Sequence, residues 1–90
     1  MKNKGDRKLE FRYDTQLQID GTDLDEDVIR DHFMACFEGD CLLAVGGPET
    51  IKIHFHTNKP WKVLEYCASL GEIYDIVVED MDRQSRGLQG

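Results

Sequence analysis

The stretch Thr50-Ile51-Lys52-Ile53-His54-Phe55-His56-Thr57 decides how the chain folds and where its chemistry is to be sought. Alternate side chains of a β-strand point to opposite faces. Ile51, Ile53 and Phe55 therefore share one side, and Lys52, His54 and His56 the other. The first set reads as core, the second as a polar surface carrying two imidazoles. Thr, Lys or Glu would serve a purely structural outer face, so the His-x-His pattern marks that face as a place for chemistry.

Similar alternation precedes it. From Leu9 to Ile19, Phe11, Tyr13, Thr15, Leu17 and Ile19 fall on one face and Arg12, Asp14, Gln16 and Gln18 on the other, which predicts a half-buried strand. Asp20-Gly21 signals a turn, and Thr22 or Asp23 is placed to cap a helix. That helix is expected from Leu24 to about Glu38, where Val28, Ile29, His32, Phe33, Cys36 and Phe37 recur at helical spacing. Asp23, Asp25, Glu26 and Asp27 sit at its start, the end a helix dipole makes favourable for acids. Gly39 is the expected stop, and His32, inside the apolar stripe, reads as a half-buried helix residue without a chemical role.

Asp40 to Val45 reads as a short apolar strand, joined through Gly46-Gly47-Pro48-Glu49 to the His-x-His strand as a hairpin. Pro60 suits the first position of a second helix, with Asn58 as a candidate cap. Trp61, Val63, Leu64, Cys67, Ala68 and Leu70 supply its expected inner face and Gly71 its stop. Glu72 to about Glu79, rich in β-branched and aromatic residues, reads as the last strand. Residues 1–8 read as a flexible tail, 9–86 as the domain and 87–90 as a second tail, with Met81 to Gly90 polar throughout.

The order β-α-β-β-α-β with short connections and right-handed crossovers leaves one economical solution. It is an α+β, ferredoxin-like sandwich: a four-stranded antiparallel sheet with two helices on one face. The first and third strands are central neighbours in it. Asp14 then projects from the open face beside His54 and His56, since cross-strand neighbours lie within roughly 5 Å and diagonal ones within about 7–8 Å.

Composition limits what such a face can serve. Ninety residues make one small domain, and an apolar fraction of 40% suffices for a compact core beside 32% charged residues. Eighteen acidic against 11 basic residues give a net charge of −7, which argues against nucleic acid as a partner. No apolar run approaches the roughly 20 residues of a membrane span, and Met1-Lys2-Asn3-Lys4-Gly5 does not open a secretory signal; a cytoplasmic location is expected. Cys36, Cys41 and Cys67, an odd number without C-x-x-C spacing, fit reduced thiols, with Cys36 and Cys67 expected to be buried in the helices.

Three readings of Asp14, His54 and His56 stand side by side: a solvated sheet face, a metal site of two histidines and a carboxylate, and a site for proton or phosphoryl handling in which Asp14 orients an imidazole.

The string Lys52-Ile53-His54-Phe55-His56-Thr57-Asn58-Lys59-Pro60, with Lys62-Val63-Leu64-Glu65-Tyr66, Gly71-Glu72-Ile73, Glu79-Asp80-Met81 and Gln84, resembles the middle (linker) domain of the bacterial fatty acid kinase catalytic subunit. That family is also described as dihydroxyacetone kinase-like or phosphatase-like. Leu9-Glu10-Phe11-Arg12-Tyr13-Asp14-Thr15 lines up with the opening of the same domain, so the likeness runs over residues 9–86. It implies a homodimer, an ATP- and magnesium-binding domain elsewhere, a fatty-acid-binding partner protein, and a cluster of one cysteine and two histidines needed for phosphoryl transfer. His54 and His56 match the two histidines, and Asp14 stands where the family has its cysteine.

This chain has no glycine-rich phosphate loop, and Gly46-Gly47-Pro48 is too short and too poor in basic neighbours to hold nucleotide. A self-sufficient kinase is therefore excluded, and no cofactor is expected on the chain alone. The expected function is an accessory domain that assists phosphoryl transfer through His54, His56 and Asp14. The alternative is a non-catalytic dimerisation module, or a ligand- or metal-binding module built from the same three residues.

Overall fold

A computed structural model describes residues 10–90, so the expected tail at residues 1–8 and the expected strand start at Leu9 lie outside the described residues. The elements run β1 (Tyr13–Asp20), α1 (Glu26–Cys36), β2 (Gly39–Gly46), β3 (Thr50–Thr57), α2 (Pro60–Leu70), β4 (Glu72–Asp80) and α3 (Met81–Ser85). They form one antiparallel sheet in the order β2-β3-β1-β4, with the His-x-His strand and the first strand paired at its centre. This is the ferredoxin-like arrangement with a short third helix added.

Parity along the two central strands separates the faces as alternation predicts. Thr15, Leu17, Ile19, Ile51, Ile53 and Phe55 are buried, whereas Asp14, Gln16, Lys52, His54 and His56 are not. Ile29 and Phe33 from α1, and Val63 and Cys67 from α2, close the core from the helical side. Phe33 meets Phe37, Phe55 and Tyr66 edge-on, with ring centroids 5.1 to 5.9 Å apart.

Several local expectations are corrected. Asp25, not Thr22 or Asp23, caps α1, its carboxylate accepting from the amides of Asp27 and Val28. The helix ends at Cys36 with Phe37 as its cap, and Gly39 opens β2 instead of stopping α1. The apolar stripes proved wider than the seams that pack: Val28 and Trp61 are 61% and 60% exposed, while the buried seams narrow to Ile29 and Phe33 on α1 and to Pro60, Val63 and Cys67 on α2. Cys36 is exposed too, at the end of α1 where a cleft of about 130 Å³ separates it from Lys59 and Lys62. Ala68 is likewise exposed.

Asn58 does not cap α2. Its side chain accepts from the Arg12 amide at 2.8 Å and donates to the Glu10 carbonyl at 3.0 Å, tying the end of β3 to the approach of β1. Thr57 serves the junction: its hydroxyl donates to the Glu38 carbonyl and accepts from the Lys59 amide. The stretch read as a polar tail carries α3, capped by Asp80, which accepts from the Arg83 amide and pairs with Arg12 at 2.8 Å.

Two bulges shape the outer strands. On β4 the register against β1 shifts between Gln16 and Gln18, with Asp75 in the left-handed region at φ 51°. On β2 it shifts between Asp40 and Leu43, with Cys41 at φ 56°.

Candidate functional site

Asp14 lies directly opposite His56 in the β1–β3 ladder, and Gln16 opposite His54. The three expected site residues meet on the face the helices leave bare. His54 Nε2 is 3.1 Å from His56 Nε2 and 3.3 Å from Asp14 Oδ1, and His56 Nε2 is 3.9 Å from the same oxygen. Their side chains retain 31%, 22% and 17% of full exposure for His54, His56 and Asp14, so the cluster is half-buried yet open to a ligand. Gln16 Nε2 lies 3.3 Å from both Asp14 oxygens and helps fix that carboxylate.

The cluster extends where sequence reading did not look. Asp40 is opposite His56 in the β2–β3 ladder, and its Oδ1 is 3.6 Å from His56 Nδ1. A cross-strand row thus runs Asp40, His56, Asp14, Glu79 over all four strands. Cys41 adds a thiol: ligand atoms of Asp40, Cys41 and His56 lie within 4.8 Å of one another. Desolvation first, then the Asp40 charge, holds that thiol above its ordinary range. Only the position of Asp40 on a strand next to the His-x-His strand could have signalled this, and the bulge hid it by breaking the alternation.

Three ligand atoms 3.1, 3.3 and 3.9 Å apart suit two tasks. A cation about 2.0–2.1 Å from each would need spacings of about 3.3 Å in a four-coordinate site, so Asp14, His54 and His56 could hold one. Without a cation, one imidazole N–H can donate to the other ring's lone pair while Asp14 accepts, which is a short proton relay. The cleft at Cys36, Lys59 and Lys62 shares no residue with this cluster. His32 plays the structural part expected of it, stacked on Tyr66 with centroids 3.7 Å apart and planes 6° from parallel.

The chain that carries this fold and cluster matches a known family. The family model for the middle domain of FakA-like fatty acid kinase proteins matches residues 10–88. The chain belongs to that family. Among curated proteins it is similar to an uncharacterized protein of Staphylococcus saprophyticus subsp. saprophyticus, 42% identical over 48 residues, and to one of Staphylococcus aureus strain COL at the same identity and length. In each case the matched stretch is 53% of this chain and 9% of the relative, so this middle domain corresponds to a small part of a much longer protein. None of the helices among the described residues is long and apolar enough to cross a membrane.

Proposed function

We propose that this middle domain assists phosphoryl transfer in a fatty acid kinase-like system, with ATP and magnesium bound on a separate domain, and that it pairs with a second copy of itself. The observation that carries this reading is the convergence of Asp14, His54 and His56 on the open sheet face of a chain from this family. One histidine serves as general acid and base, or takes the phosphoryl group transiently: a nitrogen–phosphorus bond forms as the bond to ADP breaks, and the fatty acid carboxylate then displaces the nitrogen. Asp14 orients the imidazole. A carboxylate stays ionised near neutrality and accepts hydrogen bonds but is a poorer soft nucleophile than a thiolate, so positioning suits it better than attack.

Complementation tests this. Adding the chain to an ATP-binding domain of this kinase type and a fatty-acid-binding protein should give ATP- and fatty-acid-dependent turnover that the ATP-binding domain lacks alone. Folded components that stay inactive together would contradict the reading.

A second reading, a metal centre, is favoured by the ligand spacings themselves. Metal analysis of protein purified without a histidine tag decides it: stoichiometric zinc or iron, lost in Asp14→Ala, supports a metal centre.

A further inference from the structure

We propose that Asp40 is a positioning residue that fixes the proton of His56 on Nδ1, leaving His56 Nε2 as the free lone pair of the cluster. For its functional meaning this rests on the phosphoryl-handling reading above, and it names the nitrogen that accepts.

His56 is flanked in register by carboxylates on both sides, Asp40 from β2 and Asp14 from β1. A neutral imidazole carries one N–H, on one nitrogen or the other. The two Nε2 atoms face each other at 3.1 Å, so at most one of them carries a proton toward the other. Asp14 Oδ1 stands 3.3 Å from His54 Nε2 and 3.9 Å from His56 Nε2, and the nearer anion draws that proton onto His54. The proton of His56 is left for Nδ1, where Asp40 Oδ1 waits at 3.6 Å. That separation is an ion-pair distance and not a closed hydrogen bond. Asp40 therefore acts through its field on a ring that is only 22% exposed. All four groups agree on one direction: His54 donates, Asp14 accepts from it, His56 Nε2 offers its lone pair, and Asp40 holds the far proton.

The backbone is shaped to put Asp40 there. In an unbroken strand, Asp40, Leu42 and Ala44 would share one face. The bulge at Cys41 and Leu42 instead keeps Asp40 opposite His56, turns Leu43 to pair with His54, and returns Ala44 to the core opposite Ile53. A non-glycine residue in the left-handed region is costly and persists where the surroundings impose it. Here it delivers one carboxylate to one imidazole.

Long-range nitrogen–proton NMR of the ring nitrogens, on the chelator-treated chain at a pH where the histidines are neutral, reads the tautomers directly. In the wild type His56 should be mainly the Nδ1–H form and His54 the Nε2–H form. Asp40→Ala, which leaves only the Asp14–His54 contact to favour that form, should lower the Nδ1–H share of His56 measurably, and Asp40→Glu should restore it. Asp40→Lys, at this exposed position, should drive the proton off Nδ1 more completely and stands in should the alanine variant fail to fold. A wild-type His56 protonated on Nε2, or a tautomer unchanged by these substitutions in a protein with a native amide spectrum, would overturn the proposal. The measurement needs neither ATP nor a partner domain, so its failure is separate from a failure of complementation.

Discussion

Thr15 is wholly buried between Phe55 and Val78 in the ladder, and its hydroxyl has no hydrogen-bond partner among the described residues. A buried polar group without a partner costs about 1–3 kcal/mol. Thr15→Val, which keeps the shape, is expected to raise stability by about 1 kcal/mol in urea denaturation; a loss of stability would show that the hydroxyl is satisfied. Asp80 is the opposite case. Its hydrogen bonds from Arg12, ahead of those from backbone amides, hold its carboxyl below the ordinary 3.8. A lowered folded pKa adds stability that is complete above the unfolded value and disappears as the pH falls through the folded one. The gap in melting temperature between wild type and Asp80→Asn should therefore be constant above about pH 5 and close below the ordinary carboxylate range. A gap that widens on acidification would contradict the pairing. At this scale the sequence was informative wherever parity decides: Asp14, His54 and His56 were legible because strand period sends them to one face. It was uninformative where distant chain segments decide, as with Asn58, which bonds residues 10 and 12 instead of the helix beside it.

Among the elements, β3 was legible to the residue, Thr50 to Thr57, because its alternation is unbroken. The outer strands were less so, since a bulge changes parity without any signal in residue type. Helix faces were read too wide, because a helix packs a narrow seam and leaves Val28 or Trp61 outside it. The five residues of α3 hold too few apolar side chains to show a period, and the helix depends on the Asp80 cap and on the Met81 amide bonding the Arg12 carbonyl. Gly39 makes the sharpest test at this scale. A Cβ there would overlap the His56 carbonyl and the Phe55 ring, so only glycine lets β2 approach β3 beside the cluster. Gly39→Ala should cost about 1–3 kcal/mol and shift the amide and ring signals of His56. A variant of unchanged stability and spectrum would mean that the strands are not so closely packed there.

For the whole molecule, the fold places chemistry by subtraction. Both long helices cover one side of the sheet, and the central strands present Asp14, His54 and His56 on the other, half-buried and within 3.1 to 3.9 Å of one another. Under the proposed function, the cluster acts on a group that another domain brings to it. The proposed function requires all three of these side chains. Turnover of the complemented system by Asp14→Ala, His54→Ala and His56→Ala tests it most directly. Each histidine variant should lose at least about 100-fold while keeping the wild-type melting temperature, the loss expected on removing an acid–base or acceptor group, and Asp14→Ala should lose less. Turnover within a few-fold of wild type in both histidine variants would contradict it.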